Sequence, residues 1–340
     1  MGRLGQMGHL GLIDAGSLSR LLILLAFSLF LILYSFAFDS AEWHGKRELF
    51  AREAERLMAA YSNCAARVSE PAEQVTIPVE TFPDGSVKTL VSAKKARYFL
   101  KEGLVWAEDV EVRQNAADGS VAGRIEAASC VVDRNSRSGW AEGAAKVTYG
   151  KSVLTGSGVF FSAPESYVKV FAGAAIESDD LKFGQAKAKD KAKDKAKAKE
   201  SANAKGRIEG RSGDFDIGSG VVMFEGDVVG RSDDFTICAE KLYAFLVGTN
   251  DLSRIVTVGD VSITNGARVG TCAMATYRRA KGEIEMFGDG KANRLACLKE
   301  TAASMRMLEG TRIRFWVESE QVEVENSRIT AEGRGGSNFL

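Results

Sequence analysis

A short sequence phrase recurs along the C-terminal half of this chain: an apolar run, a small or acidic residue, and a second apolar run. It reads VVMFEGDVVG at 221–230, RIVTVGDVSI at 254–263 and EIEMFGDGKA at 283–292. The central glycines of these segments are 33 and 29 residues apart. A period of this size is typical of stacked repeats, in which each unit buries its apolar face against its neighbours. The chain is therefore predicted to fold as a stack of β-units.

The N-terminal half carries the same phrase more loosely, at 103–112, 138–149 and 168–178. Together the two halves give six units, anchored near positions 109, 143, 173, 226, 259 and 288. The chain has 35 Gly and only 4 Pro. Glycine supplies tight turns, and scarce proline leaves strand N–H groups free to pair, so this composition favours long antiparallel ladders.

A Lys/Ala-rich tract at 184–206 interrupts the repeat. It holds eight Lys against Asp190, Asp194 and Glu200, a local charge of +5 in a chain whose formal net charge is +0. A tract without large apolar residues cannot bury a face, which predicts a solvated linker between β-domains at 75–183 and 207–330. Two outcomes stay open: the halves stack into one trough, or they form two modules on a tether.

The segment 21–38, LLILLAFSLFLILYSFAF, contains no charged residue. At about 1.5 Å per residue a helix of this length nearly spans a bilayer core, so we expect one transmembrane helix after a cytoplasmic tail at 1–20. A cleaved signal peptide is the alternative. Basic residues flank both sides of the segment, so charge alone does not decide the orientation.

The residues after this segment are predicted to form a helical stem at 39–74. Phe50, Ala54, Leu57, Tyr61 and Cys64 fall at alternating four- and three-residue spacings, which places them on one helix face. This stripe fits a helix that covers the end of the β-body, or one that self-associates.

The residue inventory argues against several function classes. The only histidines, His9 and His44, precede the β-rich region, and the five cysteines show no C-x-x-C spacing. We therefore expect no catalytic site, no metal site and no cofactor. Outside the Lys/Ala tract the chain is mildly acidic, which predicts no binding to nucleic acid.

The stretch PDGSVKTLVSAKKARYFLKEGLVWAEDVEV at 83–112 resembles the LptC-like family, the membrane-anchored component of the lipopolysaccharide-transport bridge. The segments GDVVGRSDDFTICAEKLYAFL at 226–246 and RIVTVGDVSITNGARVGTCAMATY at 254–277 resemble the OstA or LptA-like domain, a soluble repeat of the same bridge. The resemblance covers most of 75–325. This chain departs from the family in joining both parts in one polypeptide around the Lys/Ala tract.

The resemblance implies a mainly β fold: a repetitive, twisted antiparallel β-jellyroll behind one N-terminal transmembrane helix and a short helical stem. It implies a non-enzymatic protein of the inner membrane, with a single membrane span at 21–38 and its body at 75–330 in the periplasm, before a tail at 331–340. Lipid A acyl chains of lipopolysaccharide would lie in the apolar interior and pass along it toward the outer membrane. Its partners would be lipopolysaccharide, an inner-membrane transporter, and further β-jellyroll domains joined by edge-strand addition.

Large apolar residues of the C-terminal strands are the candidates for the groove lining, because a lined but unfilled interior can take a lipid tail. They are Phe224, Val228, Phe235, Ile237, Tyr243, Ile255, Val261, Ile263 and Met286. For each of them plain core packing is the alternative role. The alternative for the whole chain is a structural β-solenoid that scaffolds the cell envelope and binds no lipid.

Overall fold

The computed structural model of the protein describes residues 43–179, 181, 206–232, 235–247, 251–290, 294–300, 306–317, 319 and 321–331. The predicted transmembrane helix at 21–38, both predicted tails apart from residue 331, and residues 184–205 of the Lys/Ala tract lie outside this range. Within the described part of the chain, no helix is both long and apolar enough to cross a membrane.

The chain divides into two compact units, Met1–Glu53 and Ala54–Leu340. The described residues of the first unit, 43–53, are helical, and Arg52 there forms an ion pair of 2.6 Å with Glu48. In the second unit helical residues continue to 67 and the first strand begins at Ala72, so the helical part ends before residue 74, the predicted end of the stem.

Antiparallel strands build almost all of the second unit. They are β1 Ala72–Thr81, β2 Val87–Phe99, β3 Leu104–Asn115, β4 Val121–Asp133, β5 Ser138–Tyr149, β6 Ser152–Ser162, β7 Tyr167–Ser178, β8 Gly206–Gly210, β9 Ser212–Asp216, β10 Val221–Ser232, β11 Phe235–Val247, β12 Asp251–Asn265, β13 Arg268–Arg278, β14 Glu283–Phe287, β15 Ala296–Glu300, β16 Arg306–Gly310, β17 Arg312–Trp316, β18 Val322–Glu325 and β19 Arg328–Ala331. One 3₁₀ turn, Arg279–Lys281, lies between β13 and β14. The prediction of a mainly β, antiparallel fold is confirmed.

The 19 strands of the described residues form one sheet, which continues from the strands before the Lys/Ala tract to the strands after it. Strand β7 pairs with β8 through its C-terminal part and with β9 through its N-terminal part. Strands β8 and β9 both pair with β10 on their other side. Ser178 and Gly206, on either side of the tract, are direct cross-strand partners. The tract is therefore inserted between two paired strands, and the two halves of the body share one sheet.

The long strands from β4 to β7 and from β10 to β13 shift their pairing register near their middle. The breaks lie between Ala127 and Ser129 in β4, between Ala141 and Ala144 in β5, and between Val258 and Val261 in β12. Strands β8 and β9 meet at the corresponding place, as do β14 with β15 and β16 with β17. We call this continuous row of breaks the fold line.

Residues with positive φ lie at the fold line in several of the strands. Gly226 and Gly259 have φ of +81° and +82°, a conformation that costs glycine little because it has no Cβ. The Gly is followed in both cases by an Asp that also has positive φ. All six predicted anchor positions lie at the fold line, in β3, β5, β7, β10 and β12 and just after β14. The sequence period of about thirty residues is therefore the length of two strands.

The fold line divides the sheet into two half-sheets. Half-sheet I contains β9, β14, β17 and β18, together with the part of each long strand that lies on the same side of the fold line. Half-sheet II contains β8, β15, β16 and β19, together with the part of each long strand on the other side. We call the strand ends farthest from the fold line the rims.

The two half-sheets face each other across one apolar interior. The ring of Phe235 in half-sheet II lies 6.2 Å from the ring of Tyr277 in half-sheet I. A Cβ placed on Gly270 would lie 2.5 Å from the Sδ of Met286 in the opposite half-sheet. Buried residues from β2 to β17 belong to a single hydrophobic cluster. The interior is therefore continuous across both halves of the body.

Helical residues 54–67 cover part of the outer face of half-sheet I. Arg56 forms an ion pair of 2.6 Å with Asp133, and the hydroxyls of Tyr61 and Ser129 are 2.8 Å apart. Ser129, Val131 and Asp133 share one face of β4, because alternate residues of a strand point the same way. The stripe residues Ala54, Leu57 and Cys64 are buried. In the second unit the predicted stripe thus faces the sheet.

Candidate functional site

A row of aliphatic residues, with a glycine at two positions, runs across the strands on the inner face of half-sheet II. Each member is the direct cross-strand partner of the next, so the row runs along the interior, perpendicular to the strands. We call it the aliphatic ladder. Its members are Val91, Val112, Ile125, Val147, Leu154, Ile176, Ile208, Gly230, Ile237, Ile263, Gly270, Leu298 and Leu308.

The ladder is unevenly covered along its length. Val91, Val112 and Ile125 at its N-terminal end are half-buried, whereas Ile237, Ile263 and Leu298 are almost completely buried. Small residues adjoin the fold line in the N-terminal half, including Ala93, Ala127 and Ala145, so fewer side-chain atoms fill the interior there. The interior is therefore most accessible in the N-terminal half and most tightly packed in the C-terminal half.

A cleft opens between the rims in the middle of the sheet, around strands β5 to β11. Its volume is about 70 Å³. Half-sheet II and the residue after β7 contribute Val147, Tyr149, Ser152, Leu154, Ile176, Ser178, Leu181 and Ile208, and half-sheet I with its turns contributes Val168, Phe215, Ile217, Gly220, Val222, Ala244 and Leu246. At about 30 Å³ per water-sized group, a cleft of this volume holds only the end of an apolar chain.

Polar groups at the cleft lie at its rim. The hydroxyl of Ser152 donates a hydrogen bond of 2.9 Å to the hydroxyl of Ser178, its cross-strand partner. The side chains deeper in the cleft are aliphatic or aromatic. Such a site can bind a hydrocarbon chain and leave a polar group at the rim.

Eight of the nine predicted lining residues lie in the packed interior. Phe224, Val228, Phe235, Ile237, Ile255, Val261, Ile263 and Met286 all face inward and are at most 2% exposed. None of them lines the cleft. The structure thus brings them together as a filled core.

The ninth predicted lining residue, Tyr243, lies on the other face of β11. Its neighbours Leu242 and Ala244 belong to the interior cluster, so Tyr243 points to the outer face, where it is half-buried. Its assignment to the lining is therefore wrong, and Leu242 and Ala244 are the inward residues at this point of β11.

The residues that line the cleft are not among the predicted lining residues; they include Leu154, Ile176, Phe215, Val222 and Leu246. Strand alternation identifies their inward orientation, because they fall at every second position of an apolar run. Alternation does not reveal where the two rims stand apart, since that depends on contacts between distant strands.

A buried carboxylate lies on the outer face of half-sheet I near the C-terminal end. Glu285 of β14 accepts hydrogen bonds from Arg312 and Arg314, and Arg278 is 3.2 Å away. Burial pushes the pKa of Glu285 upward, but the hydrogen bonds from Arg312 and Arg314 outweigh this effect, so its pKa lies below the usual value. Glu283 lies on the same face and pairs with Arg314 at 3.0 Å.

No metal-binding group is formed by the described residues: none of their His, Cys, Asp and Glu side chains come together in threes or more. All five cysteines are free. Cys272 faces the interior from β13, whereas Cys238 faces outward from β11, so these two thiols lie on opposite faces. Burial raises the pKa of Cys130 to about 12.

We expect Cys130 to resist alkylation in the folded protein. At pH 8 a thiol with a pKa near 12 remains protonated, and only the thiolate reacts. Iodoacetamide followed by peptide mass spectrometry should modify half-buried Cys238 before Cys130, and both fully after unfolding in denaturant. Equal modification of the two thiols in the folded protein would contradict the burial of Cys130.

Comparison with known proteins adds a family match for part of the body. Residues 207–321 match the family described as LptA/(LptD N-terminal domain) LPS transport protein. The match covers less than half of the chain and falls within the segment predicted to be LptA-like. Comparison with the curated proteins gives no match.

One similar solved structure is that of LptH, described as the LptA homologous periplasmic component of the conserved lipopolysaccharide transport device from Pseudomonas aeruginosa. The similarity covers 38% of this chain and 95% of that chain, with 13% sequence identity and a TM-score of 0.32. The family match alone therefore carries the conclusion: residues 207–321 are similar to the LptA-type LPS transport domain, and the LptC-like assignment of residues 75–183 stays a prediction.

Proposed function

We propose that this chain is a non-enzymatic component of a lipopolysaccharide-transport bridge, anchored in the inner membrane through residues 21–38, with its body in the periplasm. It binds lipopolysaccharide through the lipid A acyl chains and passes it toward the outer membrane. The LptA-type family match over 207–321 supports this role.

The observation that carries the proposal is the continuity of the apolar interior. The aliphatic ladder crosses from β7 to β8 without a gap, because Ile176 and Ile208 are direct cross-strand partners on either side of the Lys/Ala tract. An acyl chain that slides along the interior meets an apolar side chain, or a glycine, at every strand. Burial of hydrocarbon supplies the binding energy at each step, and the similarity of successive steps keeps the barriers between them low.

The interior must also admit its ligand from the side. The cleft provides the opening, since it lies between the rims and contains aliphatic side chains from both half-sheets. The phosphate and sugar groups of lipopolysaccharide would remain outside in water while the acyl chains enter. This arrangement avoids the cost of burying charge without a partner.

The edges of the sheet support the proposed partners. Among the described strands, β18 and β19 each pair on one side only, β18 with β17 and β19 with β16. They are consecutive in the chain, and together they form the C-terminal edge of the bent sheet. Their free edge can accept a strand from a further β-jellyroll domain. The opposite edge strand, β1, contains Pro78 and two register shifts, which interrupt its pairing groups. We therefore infer that bridge domains join at the C-terminal edge and that the inner-membrane transporter lies on the N-terminal side.

Photo-crosslinking from neighbouring residues of one strand tests the proposal. Leu154 of β6 points into the cleft, and Val153 beside it points outward. A leucine-sized diazirine amino acid at position 154 should give a lipopolysaccharide adduct in intact cells that make lipopolysaccharide. The same amino acid at position 153 should give little or none.

The scaffold function is the alternative, and one observation favours it: the C-terminal interior is filled by its own side chains, as in a structural solenoid. If position 154 gives no adduct in the folded, membrane-inserted protein, the transport function is refuted and the scaffold is preferred. Equal adducts at 153 and 154 would show surface contact with lipid and would also contradict binding in the cleft.

A further inference from the structure

One arginine joins the two rims of the sheet near the C-terminal end. Arg268 is the first residue of β13 and lies on the rim of half-sheet II, where its Nε donates a hydrogen bond of 2.9 Å to Glu300 of β15. Its Nη1 donates to the carbonyl oxygens of Ser319 at 2.9 Å and Trp316 at 3.3 Å. Trp316 ends β17 and lies on the rim of half-sheet I. We call this set of contacts the clasp.

The clasp is well shielded from water. The side chains of Arg268 and Glu300 are 15% and 19% exposed. The guanidinium carbon of Arg268 lies 5.9 Å from the ring centre of Phe315, an interior residue. Hydrogen bonds from a charged donor are stronger when partly removed from water. Glu300 balances the charge of the guanidinium, so the arginine can also hold two neutral carbonyl groups.

A second polar contact between the rims of the described strands is looser. Arg137, in the turn before β5, lies 3.7 Å from Glu80 of β1, and these side chains are 47% and 34% exposed. Exposed ion pairs of this kind contribute little to stability. The cleft lies between this contact and the clasp. The rims are therefore firmly joined near β13, open in the middle, and loosely joined near β1.

The interior beneath the clasp is closed accordingly. Ile263 and Gly270 are cross-strand partners one step inside Arg268, and Ile263 is almost completely buried. Met286 of half-sheet I lies against Gly270. A chain moving along the aliphatic ladder from the cleft thus meets a filled interior, covered by joined rims, before it reaches the C-terminal edge.

We propose that Arg268 controls how far an acyl chain reaches along the interior: the clasp keeps the chain in the cleft and the N-terminal part, and release of Trp316 and Ser319 admits it to the C-terminal part. The inference rests on the proposed function and adds a specific barrier to it. Release leaves the pairing of β14 with β17 in place, because the clasp contacts on half-sheet I are the backbone carbonyl oxygens of Trp316, the last residue of β17, and of Ser319, which follows the strand.

Two crosslinking positions separate the clasp from lipid binding itself. The diazirine amino acid is placed at Leu154 in the cleft or at Ile263 beneath the clasp, in full-length protein purified in detergent and mixed with purified lipopolysaccharide. With Arg268 intact, the adduct should form at 154 and be at least about five-fold weaker at 263. This is the ratio expected when occupancy of the interior at 263 is less favourable than occupancy of the cleft by about 1 kcal/mol. Arg268→Gln should raise the adduct at 263 about five-fold and leave the adduct at 154 unchanged.

Arg231→Gln is the matched control. Arg231 forms an ion pair of 2.7 Å with Glu209 on the outer face of the same half-sheet and does not reach the opposite rim. Arg231→Gln should therefore leave the yield of both adducts, at 154 and at 263, unchanged. If Arg268→Gln does not fold, Arg268→Lys replaces it, since one ammonium group cannot hold a carboxylate and two separate carbonyls in the same geometry.

The outcomes distinguish the two proposals. An adduct at 154 with an unchanged adduct at 263 in the Arg268 variant overturns the clasp and leaves the transport function standing. Equally strong adducts at 154 and 263 with Arg268 intact also overturn the clasp. An absence of adducts at both positions, in every variant, refutes the transport function itself.

Discussion

Replacing Phe224 with alanine is expected to lower the free energy of unfolding by about 3–5 kcal/mol. Phe224 is 0% exposed and its ring meets that of Phe215 edge-on, with centres 5.4 Å apart. It lies on β10, which pairs with β9 on one side and β11 on the other, at the junction of the two halves of the body. Removing the ring leaves a cavity that the surrounding strands cannot close without shifting the fold line. Urea unfolding followed by circular dichroism measures the loss.

Phe171→Ala is the control for this substitution. Phe171 is on β7, is 36% exposed, and contacts Trp140 with ring centres 5.3 Å apart. Its removal should cost only about 1 kcal/mol, the contribution of one aromatic pair. If Phe224→Ala costs no more than Phe171→Ala, Phe224 lines an unfilled groove, and its description as packed core is wrong.

Glu285→Gln is expected to lower the free energy of unfolding by about 1–3 kcal/mol at pH 7. The side chain of Glu285 is 2% exposed and faces three arginines, so neutralising it removes from each of them a buried acidic partner. Arg278, Arg312 and Arg314 are 41%, 31% and 27% exposed, and water therefore screens part of the cost. Glu325, which pairs with Arg312 but is 59% exposed, provides the control: Glu325→Gln should cost less than about 0.5 kcal/mol.

The contribution of Glu285 should also depend on pH. The pKa of Glu285 is lower in the folded protein than in the unfolded chain, where a glutamate titrates near about 4.3. Its contribution is therefore complete above that value and is lost as the pH falls through the lower folded pKa. Urea unfolding of the wild type and of Glu285→Gln from pH 7 to pH 3 should show a difference in stability that narrows below about pH 4. A constant difference over this range would contradict the lowered pKa.

The strand period could be predicted from the sequence because the fold line demands a particular residue. A position with φ near +80° strongly favours glycine, so a glycine stands at the bend of alternate strands, as Gly226 does in β10 and Gly259 in β12. The Lys/Ala tract could likewise be recognised as an insertion from its composition. Whether the two halves share one sheet could not be predicted, because Ser178 and Gly206 are 28 residues apart in sequence and no local pattern shows that they pair.

The error at Tyr243 has a simple physical origin. Tyr243 and Tyr277 each stand five residues after a cysteine, so the sequence repeat pairs them, but Tyr277 faces the interior and Tyr243 does not. The structural counterpart of Tyr277 is Ala244, one residue later in the chain, since both lie in the inward row opposite Ile255. A shift of one residue moves a side chain to the opposite face of a strand. A repeat alignment tolerates such a shift, whereas a sheet does not.

The bend shared by every long strand gives the body a modular length. Because each strand crosses the fold line at the same point, adding two strands extends the interior without altering its cross-section. Neighbouring strands are about 4.8 Å apart, so each unit of about thirty residues lengthens the hydrophobic path by about 10 Å. Gain or loss of whole units would adjust the span of such a protein to the distance it must cover, with the ligand chemistry unchanged.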